Sequence, residues 1–160
     1  MRSPDELTQR FRERGLKMTP QRRAVFRALH DDHTHPSAEA VYERVAADVP
    51  GISLRTVYQT LNDLADMGEI LHLELGTGAA RFDANVEEPH HHLVCDGCGM
   101  VRDLVDDATW STLTSTDHVG GGLPDGFRVT STEVVVRGRC AACEAGATGP
   151  EPADHQSHPR

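Results

Sequence analysis

Two kinds of metal ligand meet in residues 90–98, whose sequence is HHHLVCDGC. A second Cys-x2-Cys pair follows 41 residues further on, so that all four cysteines of the chain fall into two such pairs. Four thiolates form a closed tetrahedral site that is typical of structural zinc. The spacing therefore predicts one structural Zn(II) ion, bound by Cys95, Cys98, Cys140 and Cys143.

Disulfides or a redox motif are the alternatives for the same cysteines. A two-residue spacer would close a small, strained disulfide loop, and the N-terminal residues do not resemble a secretory signal. The interval of 41 residues between the pairs is longer than the spacing of about 15–20 residues in a zinc ribbon. We therefore expect a zinc clasp between distant strands of one domain.

The three consecutive histidines are left over once the cysteines are assigned. A histidine run by itself is often a solvated loop, but here it directly precedes a thiolate pair. Imidazoles combined with nearby carboxylates form a harder and more open site than four thiolates do. The pattern predicts a second metal site with a role other than holding the fold.

Composition limits the class of protein. The chain has 160 residues, enough for one medium domain or two small ones, and a net charge of −9, which by itself argues against a nucleic-acid partner. Residues 1–30, however, carry eight Lys/Arg against three Asp/Glu. Because no apolar run approaches the length of about 20 residues in a membrane helix, we expect a soluble cytoplasmic protein without a membrane partner.

Helix start signals recur through the first half of the chain. Ser3, Thr19, Ser37 and Ser53 each precede an amphipathic stretch, and Pro follows Ser3 and Thr19 at the first helical position. These signals predict helices over 4–14, from 20 onward, over 38–48 and over 54–67.

A hairpin follows the fourth predicted helix. Residues 70–75 partly alternate like a strand, 76–78 form a turn and 79–83 return. Three helices, a polar fourth helix and a hairpin make a winged helix-turn-helix, which places its recognition helix in the major groove of double-stranded DNA. On that helix Arg55 suits phosphate or guanine, Tyr58 a thymine methyl and Gln59 adenine, with Thr56 a further polar contact. The alternative for Tyr58 is a half-buried packing role.

The second half of the chain is predicted to form a small α/β domain, so that the predicted fold class of the whole chain is α+β. A strand over 99–105 leaves Asp103 near the predicted ligands, 106–117 is predicted helical with Trp110 and Leu113 inward, and 120–126 is a loop. β-rich sequence at 127–129 and 133–138 leads into Cys140 and returns the second cysteine pair to the first. The predicted boundaries are 1–84 for the DNA-binding domain, 85–89 for a hinge, 90–145 for the metal-binding domain and 146–160 for a disordered tail.

The order of these parts resembles the ferric uptake regulator (Fur) family of metal-dependent repressors, over roughly residues 7–143. The residues that carry the resemblance are GLKMTPQR at 15–22, TVY at 56–58, ARFD at 80–83 and HHHLVCDGCG at 90–99.

The resemblance implies a function and a ligand set. It implies a homodimer joined through the C-terminal sheets, with structural zinc on the cysteines and Fe(II) or Mn(II) at an inter-domain regulatory site. Metal would close the angle between the domains and set the spacing of two recognition helices on a pseudopalindromic operator, with Lys17 and Arg22 supporting backbone or minor-groove contacts. The implied regulatory ligands are His35, Asp83, His90, His92 and Asp103.

The branch of the family depends on one methylene group. Asp rather than Glu at position 103 resembles the peroxide-sensing (PerR) branch, in which iron at this site reacts with hydrogen peroxide and a ligand histidine is oxidised. The alternative is an iron-responsive regulator without peroxide sensing. Thr132 occupies the position at which a further metal site of the family has a histidine, so that site is not predicted.

Two other classes of protein are alternatives. A structural zinc adaptor would leave the histidines unused. A zinc hydrolase would need a helical His-Glu-x2-His or comparable motif, which is absent, so we expect no enzyme and no small-molecule substrate.

Overall fold

The computed structural model describes residues 1–88, 90–105, 124–130 and 132–146. These residues fall into two compact units, one ending at Glu88 and one containing the residues that follow. The helix predicted over 106–117 with Trp110 and Leu113, most of the loop predicted over 120–126, and the tail from 147 lie outside the described residues.

Four helices build most of the N-terminal unit, and each begins at a predicted cap. The side-chain oxygens of Ser3, Thr19, Ser37 and Ser53 all accept a hydrogen bond from the backbone N–H three residues ahead. Among the helices of the described ranges, none combines the length and the apolar character that crossing a bilayer requires. The helices are α1 (Pro4–Glu13), α2 (Pro20–Leu29), α3 (Ala38–Ala46) and α4 (Leu54–Asp66).

The apolar faces of these helices meet in one core. Phe11 of α1 and Phe26 of α2 make an edge-to-face contact, with ring centroids 4.8 Å apart. Apolar side chains at helical spacing on these helices are fully buried at the centre of this cluster, as an amphipathic pattern predicts, while Ala28 and Tyr42 are partly buried against it. The fully buried side chains include Leu7, Phe11, Val25, Leu29, Val41, Val57, Leu61 and Leu64.

The predicted wing is present as a short antiparallel hairpin of β1 (Leu71–Leu73) and β2 (Arg81–Asp83). Both strands are shorter than the alternating sequence predicted, and glycines 76 and 78 take positive φ in the connection. Phe82 of β2 is buried against the helical core. The helices and hairpin together form the winged helix-turn-helix of an α+β fold.

The C-terminal unit contains a three-stranded sheet in the order β4-β3-β5, built from β3 (His90–Cys95), β4 (Val101–Val105) and β5 (Val135–Gly138). β3 pairs antiparallel with β4 and parallel with β5. A short helix, α5 (Ala141–Glu144), follows. Of the β-rich sequence at 127–129 and 133–138, the described residues form a strand only over Val135–Gly138, and the N–H of Phe127 donates to the carbonyl of Pro124 over 3.0 Å in a turn that precedes the first stretch.

Candidate metal centres and nucleic-acid surface

The two cysteine pairs come together in the C-terminal unit. The parallel register of β3 and β5 sets Cys95 opposite Gly138, so that the chain emerging from β5 delivers its cysteines beside those that follow β3. The four Sγ atoms lie within 4.8 Å of one another, and all four are free thiols. The Sγ atoms of Cys98 and Cys140 are 3.9 Å apart, close to the edge of about 3.8 Å that a tetrahedron with Zn–S bonds of about 2.3 Å requires. The cluster fits a structural zinc ion.

The pKa values of the cysteine thiols favour binding of a divalent cation. The backbone N–H of Cys140 donates to Cys95 Sγ over 3.2 Å, and this hydrogen bond lowers the pKa of the Cys95 thiol to about 6. The Cys140 thiol, hydrogen-bonded to Cys143, together with burial raises the pKa of Cys143 to about 12. One thiolate therefore forms readily, whereas further negative charge in the cluster needs a compensating cation.

In the N-terminal unit, His35 and Asp83 are brought side by side. The N–H of Phe82 on β2 donates to the carbonyl of Pro36 over 3.0 Å, which ties the residues before α3 to the end of the wing. His35 Nε2 then lies 3.7 Å from Asp83 Oδ1, beyond normal hydrogen-bond range, and the two side chains are only 1% and 2% exposed. Asp83 Oδ1 also accepts from the N–H of Asn85 over 2.8 Å, which orients the carboxylate.

The backbone of His35 is unusual. Its φ is +51°, a left-handed conformation that costs a non-glycine residue free energy. Asp31, at the end of α2, has a similar value of +59° but lies in an exposed turn, where aspartate tolerates it. At a buried histidine, such strain is typical of a residue held for its chemistry.

In the C-terminal unit, alternation along β3 separates the three histidines. His90 and His92 lie on the same face with ring centroids 4.9 Å apart, while His91 lies on the opposite face. Asp103 of β4 is paired directly with His92, and its Oδ1 lies 3.9 Å from His90 Nε2. Two imidazoles and a carboxylate thus share one face of the sheet.

Position 133 adds a contact that sequence reasoning missed. Glu133 Oε1 lies 2.8 Å from His92 Nδ1, although 41 residues separate the two in sequence. Nothing local in the sequence marks Glu133, because it reads as an ordinary polar residue at the start of a strand.

The predicted DNA-binding residues divide into an exposed set and an engaged set. Lys17, Arg55 and Gln59 are exposed, and Tyr58 is 38% exposed. The Thr56 hydroxyl lies 2.9 Å from that of Ser53, within the cap of α4. α4 therefore presents Arg55, Tyr58 and Gln59 to solvent, as a recognition helix must.

Arg22 has internal partners. Its Nη2 donates to Asp63 of α4 over 2.6 Å, its Nη1 donates to the carbonyl of Lys17 over 3.3 Å, and its guanidinium lies 5.3 Å from the centre of the Phe11 ring. These contacts give Arg22 a role in joining α2 to α4. The contact of this side chain with DNA stays a prediction, because the contacts that the structure gives Arg22 are internal.

Two further carboxylates were missed. Glu39 of α3 accepts from the Tyr58 hydroxyl over 2.7 Å, which raises the pKa of Tyr58 and lowers that of Glu39. Glu69 is fully buried: its Oε1 accepts a hydrogen bond from Arg2 Nη1 over 2.7 Å and lies 2.7 Å from Arg10 Nε in an ion pair. Sequence patterns give no signal for such pairs, because both lie in stretches that read as solvated.

A family model and a curated relative match most of this chain. The model of the family described as the ferric uptake regulator family matches residues 13–118. A peroxide-responsive repressor, PerR, from Staphylococcus aureus strain Mu50 is 33% identical over 134 residues, covering 84% of this chain and 86% of the relative.

Solved structures agree on the fold. A zinc-bound manganese uptake regulator has a TM-score of 0.67 at 30% identity, covering 87% of this chain and 99% of that one. The Vibrio cholerae ferric uptake regulator has a TM-score of 0.66 at 27% identity, covering 82% and 98%. The Helicobacter pylori ferric uptake regulator has a TM-score of 0.73 at 24% identity, covering 88% and 90%, a likeness of fold alone.

Proposed function

Because the chain belongs to the ferric uptake regulator family, whose members are metal-responsive regulators, we propose that it is a cytoplasmic, homodimeric transcriptional repressor. It binds a pseudopalindromic DNA operator when Fe(II) or Mn(II) is bound, and peroxide releases it. The observation that carries this proposal is the division of its metal ligands into two chemical classes. A four-thiolate cluster is suited to zinc and to holding the fold, while buried imidazoles and carboxylates are left for a second metal.

The regulatory metal takes nitrogen and oxygen ligands from both units in this proposal. Imidazoles and carboxylates suit Fe(II) and Mn(II) better than thiolates would. The N-terminal pair supplies two of these ligands and the C-terminal trio supplies three, and we propose that one metal ion takes all five. The strained φ of His35 supports a ligand role. The proposed ligands are His35, Asp83, His90, His92 and Asp103.

The proposed switch follows from linkage. Because the ligands are divided between two units, the free energy of metal binding is available to select one arrangement of the units over others. DNA affinity then depends on how well that arrangement presents both recognition helices of a dimer. The exposed side chains of α4 support the DNA contact, and Arg55, Tyr58 and Gln59 are its proposed base or phosphate contacts, with Lys17 and Thr56 beside them.

Peroxide sensing is the finer part of the proposal. Iron held by these ligands would supply the redox chemistry for cleaving the O–O bond of hydrogen peroxide, with one oxygen atom inserted into a C–H bond of a ligand imidazole and the other released as water. An oxidised imidazole is a poorer ligand, so the protein loses its regulatory metal and then the operator. Asp103 and the likeness to the Staphylococcus aureus peroxide-responsive repressor support this branch.

The experiment that tests the proposal measures operator affinity of the zinc-loaded protein. DNA selected from a random library in the presence of Mn(II) serves as the operator. Affinity is then compared without added metal, with Mn(II) and with Fe(II), before and after a low dose of hydrogen peroxide. We expect both metals to strengthen binding and peroxide to abolish it for the Fe(II) form alone, with one oxygen atom added to a peptide containing His35 or His90.

Other outcomes separate the alternatives. If both metal forms hold DNA through the peroxide treatment, the protein is an iron- or manganese-responsive regulator without peroxide sensing. If added metal leaves DNA binding unchanged, the chain is a structural zinc protein and the regulatory proposal fails. Sedimentation of the zinc-loaded protein tests the homodimer directly.

A further inference from the structure

We propose that Glu133 is a positioning residue that fixes the tautomer and orientation of His92, so that Nε2 is the nitrogen offered to a metal. This inference rests on the proposed function, because it concerns the regulatory ligand set. Its starting observation is the 2.8 Å distance between Glu133 Oε1 and His92 Nδ1.

The chemistry of the contact decides which ring nitrogen carries the proton. A carboxylate can only accept hydrogen bonds, so His92 Nδ1 must donate to Glu133. In the neutral ring the available lone pair is then on Nε2, and this atom is buried. A metal-ligating histidine commonly gives its other N–H to a carboxylate, which fixes the ring and makes the ligating nitrogen more basic.

Backbone contacts hold Glu133 in place for this task. The N–H of His92 donates to the carbonyl of Val134 over 3.1 Å, and the N–H of Val134 donates to His91 Nδ1 over 3.3 Å. These two hydrogen bonds fix residue 134 against β3 just where β5 begins its parallel pairing. The Glu133 side chain therefore starts from a fixed backbone position rather than from a free loop.

The neighbouring histidine provides an internal reference. Because His91 Nδ1 accepts a hydrogen bond from Val134, its proton is on Nε2 in the neutral ring. His91 and His92 are thus held in opposite tautomers, one by a backbone N–H and the other by a carboxylate. The tautomers are distinguishable by the ¹⁵N shifts of the two ring nitrogens.

An ordinary surface ion pair is the simpler reading of the same contact, since the Glu133 side chain is 51% exposed while His92 is 2% exposed. Exposed pairs contribute little to stability. The two readings therefore differ in where the effect of a substitution appears: in metal affinity and in the His92 tautomer for a positioning residue, and in neither for a surface pair.

The test uses the full-length, zinc-loaded protein with ¹⁵N-labelled histidine and Mn(II) as the probe. Wild type is compared with Glu133→Ala, Glu133→Gln and Glu74→Ala, the last removing the same charge at an exposed position of the wing. In the Mn-free protein we expect His92 to carry its proton on Nδ1 in wild type and to lose that preference in E133A, with His91 unchanged.

By calorimetry we expect E133A to bind Mn(II) about 10- to 100-fold more weakly than wild type. E133Q keeps an acceptor without the charge, so its affinity should lie between the two, and E74A should match wild type. Wild-type Mn(II) affinity in E133A, or a proton on Nε2 of His92 in wild type, would overturn the role of Glu133 alone. A wild-type protein that takes up no Mn(II) beyond its zinc would instead overturn the proposed function.

Discussion

In the N-terminal unit the largest buried side chains are Phe11, Phe26 and Phe82, which belong to a continuous apolar cluster. In the described part of the C-terminal unit, the buried apolar side chains outside the zinc cluster are only Val94 and Val101. The other buried side chains there are two cysteines and two histidines: Cys95, Cys143, His91 and His92.

This difference indicates two sources of stability in one chain. Burial of large apolar side chains stabilises the helical unit regardless of metal. The described strands of the C-terminal unit bury thiols and imidazoles, so their stability depends on what those side chains bind. Substitutions and metal removal should therefore act on the two units separately.

The largest expected effect is loss of zinc. Cys140→Ser removes a ligand from a site whose zinc affinity, in structural sites of this class, corresponds to about 10–16 kcal/mol. We expect the variant to lose zinc by native mass spectrometry and the amides of β3 to lose protection from hydrogen exchange. The amides of α2 and α4 should stay protected. Chelating zinc from the wild type should reproduce the pattern, and protection of β3 without zinc would contradict it.

The matching change in the N-terminal unit is Leu61→Ala. Leu61 of α4 is fully buried, and truncating such a leucine costs about 2–5 kcal/mol in the free energy of unfolding. Urea unfolding of the helical signal should shift by that amount while zinc content is unchanged. Gln59→Ala, on the exposed side of the same helix, is the control and should stay within about 0.5 kcal/mol of wild type. Loss of zinc in L61A would show that the units are not independent.

A smaller effect is expected at Gly97, between the first two cysteines. A Cβ at this position would lie 2.8 Å from Cys143 Sγ and 2.9 Å from Cys143 Cβ, so Gly97→Ala would displace a ligand. Overpacking of this kind costs about 1–3 kcal/mol, which corresponds to about 5- to 150-fold in zinc affinity measured by competition with a chelator. Gly138→Ala is the control, because its Cβ would meet no atom within 4 Å. Equal affinities in the two variants would refute the steric argument.

Local signals predicted most of the helical unit correctly. The caps at Ser3, Thr19, Ser37 and Ser53 are confirmed because a cap depends on residues within one helical turn. The buried faces of the helices follow the helical period, which is also a local property of the sequence. The return of the second cysteine pair to the first is confirmed as well, since two ligand pairs of one kind constrain each other even over a long interval.

Contacts that depend on tertiary placement could not be predicted. Glu133 beside His92, and Asp63 beside Arg22, each join residues 41 positions apart. Neither residue carries a motif, and only the folded arrangement gives it a partner. The β-rich stretch at 127–129 has the same lesson, because β-forming residues become a strand only where a neighbouring strand is available, and in the described residues this stretch follows a turn closed by Pro124 and Phe127.

The smallest effect should come from Tyr58→Phe, which removes the hydroxyl that donates to Glu39 over 2.7 Å at the surface of the helical unit. Because this hydrogen bond is exposed to solvent, the loss in the free energy of unfolding should be about 0.5–1 kcal/mol near neutral pH. Because the hydrogen bond lowers the pKa of Glu39, its contribution is present above the ordinary glutamate pKa and disappears as pH falls through the lowered value. Urea unfolding of the helical signal at pH 7 and below pH 4 should therefore show a gap between wild type and Y58F that narrows in acid. A gap that widens in acid would mean that the Tyr58 hydroxyl stabilises the unit through a group other than the Glu39 carboxylate.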